Sequence, residues 1–295
     1  MKLINYFLLI TLFITGCEVS GLKKTKSNTE DKLLDSMTNE VESPKNNKDT
    51  INIASNSENE SKTISYDNGI KITWLKKGNG ESIKSGDLVN IDYRNSLEDG
   101  TIYDGNHLVK KSYIPFLVGW NQQTEGWDFA IKQLSVGDEV EVFIPAELAR
   151  GERGIPGVVP PNANNILSLR IKGINKPTFI VDDIRIWIVE RSKKPGDTIT
   201  FGDEIKIHYW ANSESTPRYD NSYQRGEPFS LVMGDGNIVP GLYKALHFGK
   251  KGDKMMIHIP AKEAYGNKGF SNLVLPNEDL FYDIMIVDVV HHDEL

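Results

Sequence analysis

The sequence repeats itself. From Glu227 to Gly266 it reads Pro228-Phe229, Met233-Gly234, Ile238-Val239-Pro240-Gly241-Leu242, Gly252-Asp253, and Ile259-Pro260-Ala261 leading to Tyr265-Gly266. Earlier come Pro115-Phe116, Val118-Gly119, Gly126-Trp127, Gly137-Asp138, and Ile144-Pro145-Ala146 leading to Arg150-Gly151. Gly126/Gly241, Gly137/Gly252, Pro145/Pro260 and Pro161/Pro276 are each 115 residues apart, and Gly86-Asp87 through Tyr93 matches Gly202-Asp203 through Tyr209 at a spacing of 116. Chance does not hold register over such a distance, so the chain carries two copies of one domain. Its 295 residues leave room for about two domains of ~150 each.

Within each copy the apolar period changes along the chain. Val89, Ile91 and Tyr93 alternate with polar residues, as do Val140, Val142 and Ile144, then Leu167, Leu169 and Ile171; this is the period of half-buried strands. Trp127, Ala130, Ile131 and Leu134 fall instead at i, i+3, i+4 and i+7, one face of a short helix. The second copy repeats the strands with Ile205, Ile207, Tyr209, then Met255, Ile257, Ile259, then Tyr282, Ile284, Ile286. Pro240 stands at the start of its helix, where a missing N–H is harmless, and Leu242, Ala245 and Leu246 form the inward face. Leu97-Glu98-Asp99-Gly100 is a turn between strands. The expected fold class is α+β, an antiparallel sheet wrapped around one short helix, built twice. The copies are expected over residues 66–176 and 177–295, with the join at Asn175-Lys176-Pro177-Thr178.

The formal charge of −7 argues against a nucleic-acid partner, which requires clustered Lys and Arg. The single cysteine excludes an internal disulfide and a Cys-based metal site. Lys2 precedes an apolar run from Leu3 to Ile14 that is too short to span a bilayer but suits the core of a signal peptide. Ile14-Thr15-Gly16-Cys17 resembles the lipobox of bacterial lipoproteins, which implies cleavage after residue 16, acylation of Cys17 and a membrane anchor in the bacterial cell envelope. The alternative is an ordinary secretory signal with an incidental cysteine. The last four residues, His292-Asp293-Glu294-Leu295, match the endoplasmic-reticulum retrieval address and imply a luminal protein instead. Residues 17–65, rich in Ser, Asn, Lys, Glu and Thr, are expected to form a disordered tether. Gly78-Asn79-Gly80 and Gly234-Asp235-Gly236 are turns rather than phosphate loops, and His291-His292 reads as a solvated end.

Certain stretches carry a resemblance. Tyr219-Asp220-Asn221-Ser222, Ile238-Val239-Pro240-Gly241-Leu242 and Ile259-Pro260-Ala261-Lys262-Glu263-Ala264-Tyr265-Gly266 resemble FKBP-type peptidyl-prolyl cis–trans isomerase domains. So do Leu97-Glu98-Asp99-Gly100-Thr101-Ile102-Tyr103-Asp104, Glu125-Gly126-Trp127, and Gly154-Ile155-Pro156-Gly157-Val158-Val159-Pro160-Pro161-Asn162-Ala163 in the first copy. The resemblance implies an enzyme that accelerates X–Pro rotation, acting on proline-containing polypeptide segments as a monomer, with no cofactor and no metal. The alternative is a non-catalytic protein that holds such segments.

Carried over residue by residue, the resemblance implies a catalytic pocket in the second copy formed by Tyr209, Tyr219, Asp220, Phe229, Ile238, Val239, Leu242, Tyr265 and Tyr282. Leu242 would be its floor, the backbone of Ile238 and Val239 would pair with a peptide, and the Tyr265 hydroxyl would reach a ligand carbonyl. The tip loop Gly269-Phe270-Ser271-Asn272-Leu273-Val274 lacks the family's usual Pro-Gly pair. The first copy would use Tyr93, Tyr103, Asp104, Phe116, Trp127, Val158, Val159 and Leu167, but departs at Gln123-Thr124, where two apolar residues are usual, and at Arg150, where the second copy has Tyr265. Desolvating a guanidinium costs several kcal/mol unless it is paired, so Arg150 is expected to point outward or to meet Asp104. The second copy is expected to be the better catalyst. Taken singly, Tyr93, Tyr209, Tyr282 and Trp127 read equally as core aromatics, and Asp104 and Asp220 as turn formers.

Overall fold

The structure, a computed structural model, describes residues 62–194, 196 and 198–291. The expected leader, Cys17, most of the expected tether and the His292–Leu295 tail lie outside the described residues. The first copy comprises β1 (Lys62–Ser65), β2 (Lys71–Lys76), β3 (Leu88–Ser96), β4 (Ile102–Gly105), β5 (Ile114–Leu117), α1 (Glu125–Ile131), β6 (Glu139–Ile144) and β7 (Asn165–Asn175). The second comprises β8 (Phe179–Val181), β9 (Ile184–Glu190), β10 (Glu204–Ser213), β11 (Asp220–Asn221), β12 (Phe229–Val232), α2 (Pro240–Leu246), β13 (Lys254–Ile259) and β14 (Leu280–Val290). Each copy is one antiparallel, seven-stranded sheet. The first runs β1-β2-β6-β7-β3-β4 with β5 also on β3; the second, β8-β9-β13-β14-β10-β11 with β12 also on β10.

The alternating apolar residues of each sheet face its helix. Val89, Ile91, Tyr93, Val140, Val142, Ile144, Leu167, Leu169 and Ile171 form one core with Trp127, Ala130, Ile131 and Leu134. The equivalent strands of the second copy close over Leu242, Ala245 and Leu246. The repeated glycines at the helix starts explain how close this packing is. A Cβ at Gly126 would lie 2.3 Å from the Ile144 Cγ2, and one at Gly241 2.3 Å from the Ile259 Cγ2. The repeated Gly-Asp pairs pin turns. The buried Asp138 accepts from the N–H of Gly78 (2.6 Å) and Ser135 (2.9 Å), from Trp74 Nε1 (3.1 Å) and from Lys77 Nζ (2.9 Å). Asp253 accepts from Ser192 N (2.7 Å), Arg191 Nη1 (2.6 Å) and Lys250 N (3.1 Å).

Three expectations change. Residues 62–65, read as the end of the tether, form edge strand β1 against β2, in register from Lys62↔Trp74 to Ser65↔Lys71. Four residues are too few to display a period, and only Ile64 reaches the core. His291 is not simply solvated, because its Nδ1 lies 3.0 Å from the buried Asp203 carboxylate. Strands β10, β13 and β14 are not half-buried: Trp210, Met256, Phe281 and Asp283, on the face away from α2, are buried too. That outer face meets the first copy. Trp187, Met256 and Phe281 share an apolar cluster with Leu88, Leu117 and Trp120, Arg185 Nη1 donates to the Gly86 carbonyl at 3.2 Å, and Lys111 pairs with Glu190.

Candidate active site

The second sheet and α2 enclose a cavity of about 280 Å³. Strand β10 contributes Ile207 and Tyr209, the following loop and β11 contribute Tyr219 and Asp220, β12 contributes Phe229, and β14 contributes Tyr282. The segment entering α2 supplies Ile238 and Val239, and Leu242 forms the floor. Val239, Leu242, Tyr209 and Tyr282 are buried, so a ligand here would meet alkyl and ring carbon with little water. Phe229 stands edge-on to Tyr209 at 6.0 Å.

The polar groups are tied to one another at the edges. The Tyr209 hydroxyl donates to Asp220, whose other oxygen accepts from Arg225 Nη1 at 2.6 Å. Arg225 Nη2 donates to the Tyr209 hydroxyl at 2.8 Å. Burial raises the Tyr209 phenol to about 12, with the bond to Asp220 acting in the same direction. The Tyr219 and Tyr282 hydroxyls lie 3.1 Å apart, and burial raises both phenols, so neither ionises near neutrality. Tyr265, also raised by burial, stacks on Phe270 at 4.8 Å. Among the described residues, the Ile238 N–H and carbonyl make no hydrogen bond and are available to a bound chain.

The matching place in the first copy is built differently. Tyr93 donates to Asp104 Oδ1 at 3.2 Å and stands edge-on to Trp127 at 5.0 Å. Tyr103 accepts from Asn165 Nδ2 at 2.6 Å, a contact that replaces the paired phenols of the second copy because Leu167 stands where Tyr282 would be. Arg150 does not point outward, and no ion pair with Asp104 forms within 4 Å. Its Nη2 donates to Gln123 Oε1 at 2.7 Å, and its charge acts on Tyr93, Tyr103 and Asp104. The two departures seen in the sequence are therefore one feature, since Gln123 is the group that receives Arg150. Burial raises the Asp104 carboxyl, against the bonds from Gly105 and Tyr93 and the Arg150 charge.

All nine residues expected in the second pocket line its cavity, together with Ile207, Asn237, Phe270 and Leu273. Ile207 was legible only as a strand residue. Phe270 and Leu273 belong to the tip loop, whose departure from the family pattern concealed that its apolar side chains turn to the cavity. Of the eight in the first copy, Tyr93, Tyr103 and Asp104 gather around Arg150. Trp127, Val159 and Leu167 are buried, and Val158 is exposed. Phe116 requires a correction. Ile207 pairs with Phe229, and the equivalent Ile91 pairs with Ile114, not with Phe116. Phe116 therefore corresponds to Leu231 and packs on Trp127 at 5.6 Å, while Ile114 takes the wall position of Phe229. The Pro-Phe dipeptides look alike but are two residues out of register.

The family described as FKBP-type peptidyl-prolyl cis-trans isomerase matches residues 79–172 and again 196–287. The chain is 25% identical over 207 residues to peptidyl-prolyl cis-trans isomerase FKBP10 of Mus musculus, covering 70% of this chain and 35% of that protein. It is 26% identical over 208 residues to FKBP9 of Homo sapiens, with the same coverage. It thus spans about a third of the length of these curated relatives. FK506-binding protein 1 of Candida glabrata is 39% identical over 108 residues, 36% of this chain and 94% of that protein. The crystal structure of the 3 FKBP domains of wheat FKBP73 is 25% identical, covers 76% of this chain and 96% of its own, and superposes with a TM-score of 0.38.

Proposed function

The chain belongs to the FKBP-type peptidyl-prolyl cis–trans isomerase family, and we propose that its second half accelerates rotation about X–Pro bonds while its first half holds proline-containing segments. Rotation is opposed by amide resonance, with a barrier of about 18–20 kcal/mol and uncatalysed times of about tens to hundreds of seconds. No bond is broken, so neither a nucleophile nor a metal is required. The twisted transition state has lost conjugation and carries less charge separation than the planar amide. A dry, carbon-lined cavity favours it over the ground state, and that difference is what catalysis requires.

The observation that carries this reading is the composition of the second cavity: Tyr209, Phe229, Val239, Leu242 and Tyr282 around a space of about 280 Å³. A prolyl ring would sit on Leu242, with the free N–H of Ile238 holding the neighbouring backbone. Asp220 and Arg225 neutralise each other at the rim, so the cavity interior carries no net charge. The test is the interconversion rate of a proline tetrapeptide in a protease-coupled assay with the full chain. Acceleration that falls in Tyr219→Ala supports the reading; no acceleration at micromolar protein leaves only a holding role.

We place this activity on exported polypeptides, with the protein a monomer anchored to a bacterial envelope membrane through acylated Cys17. The second reading, retrieval to the endoplasmic reticulum, is favoured by His292-Asp293-Glu294-Leu295. Radiolabelled palmitate entering the wild type but not Cys17→Ser selects the first; no label in either selects the second.

A further inference from the structure

Two arginines from different halves of the chain converge on one dipeptide. Arg150 Nη2 donates to the side chain of Gln123 at 2.7 Å. Arg218, in the loop between β10 and β11, crosses from the second half and donates through Nη2 to the Gln122 carbonyl at 2.9 Å. Its guanidinium lies over Trp210, 5.3 Å from the ring centroid. Burial lowers the Arg218 pKa, and the Arg150 charge pushes it the same way. Among the described residues neither arginine has a carboxylate within 4 Å. Asp104, on which the Arg150 and His107 charges act, already accepts from Tyr93 and Gly105.

Buried polar atoms of the first half without a partner include Arg150 Nε, Trp127 Nε1 and Thr124 Oγ1. Two of these are donors only. Leaving such groups unpaired is costly, and the missing partner is an acceptor. A carboxylate is an acceptor of matching charge that a guanidinium binds with particular strength.

We infer that the first half takes segments bearing a carboxylate, held at the pocket mouth between Arg150 and Arg218. This rests on the reading of the first half as a holder of polypeptide. The second half contributes Arg218, so the site is complete only in the two-domain chain.

The test uses the full chain and fluorescence anisotropy with three labelled proline peptides differing in one group: a neutral amidated peptide with Gln beside the proline, the same with Glu, and the Gln peptide with a free C-terminal carboxylate. The Glu peptide, the free acid or both should bind at least about tenfold more tightly than the neutral one, as charge-assisted hydrogen bonds do; which of them gains identifies side chain or terminus as the source. The gain should vanish in Arg150→Met, shrink in Arg218→Met, and return in part in Arg150→Lys, which also controls for folding. Equal binding of all three overturns the inference but leaves the holding role intact. A gain that survives the double Met variant also overturns it, and no binding of any peptide overturns both readings.

Discussion

The two halves share an inner sheet face and differ in two places, the mouth of the pocket and the outer face of the sheet. Inside, the repeated glycines and buried aspartates do the same work twice, which is why the fold survives divergence elsewhere. At the mouth, Arg150 stands where Tyr265 stands, and Gln123 where Ile238 stands. That pair of changes turns a carbon-lined cleft into a charged one without altering a strand. On the outer face, Trp187, Met256 and Asp283 of the second half occupy the places of Thr73, Glu141 and Ser168 in the first. Glu141 and Ser168 are exposed and Thr73 half-buried, whereas Trp187, Met256 and Asp283 are buried. Leu242, Tyr209, Val239 and Tyr282 serve core and cavity together, whereas the residues at the mouth and on the outer face differ between the halves without a change of fold.

The outer face gives the largest expected effect. Trp187→Ala should cost about 3–5 kcal/mol in urea unfolding, as large-to-small core changes do, while Thr73→Ala at the matching place should stay within about 0.5 kcal/mol. Similar losses from both would mean that the outer faces do not differ as described.

Asp283 sharpens the same contrast. Burial holds its carboxyl up to about 7, with Lys254 opposing and Glu190 reinforcing the shift. The folded chain therefore keeps a proton that the unfolded chain loses near pH ~4. Stability attributable to this group falls as pH rises through the window from about 4 to about 7. Asp283→Asn should stabilise the protein by about 2–4 kcal/mol at pH 8 and hardly at all at pH 4, as read from urea midpoints. Ser168→Asn should show no such pH dependence.

The smallest effect probes the pocket mouth. With the second pocket disabled by Asp220→Ala, the double change Arg150→Tyr and Gln123→Ile should raise proline-peptide isomerisation by the first half about tenfold, the kinetic equivalent of ~1.4 kcal/mol. No gain would mean that something other than Arg150 sets the first half apart.

Much of this was readable beforehand. The repeat and the strand and helix periods place the sheets and helices, because alternation and 3.6-residue spacing report directly on burial against the helix. The second pocket's residues follow from family resemblance at specific positions. Three things were not readable. Short strand β1 carries no period of its own. Phe116 was misplaced because a local Pro-Phe match outweighed sheet register, which is fixed by long-range pairing. The direction of Arg150 depends on Gln123, 27 residues away in sequence, and no local pattern links the two. The double-faced burial of Met255-Met256 and Phe281-Tyr282 depends on what covers the outer face, and the docking of the halves decides that.

The most direct test of the central claim compares matched variants of the full chain in the proline-tetrapeptide assay. Asp220→Ala removes the carboxylate that orders Tyr209 and Arg225, and Asp104→Ala removes its counterpart beside Arg150. The account predicts a loss of about ten- to hundredfold in kcat/KM for Asp220→Ala, the scale of a charged hydrogen bond, and an unchanged rate for Asp104→Ala. Equal losses from the two, or a loss confined to Asp104→Ala, would contradict it.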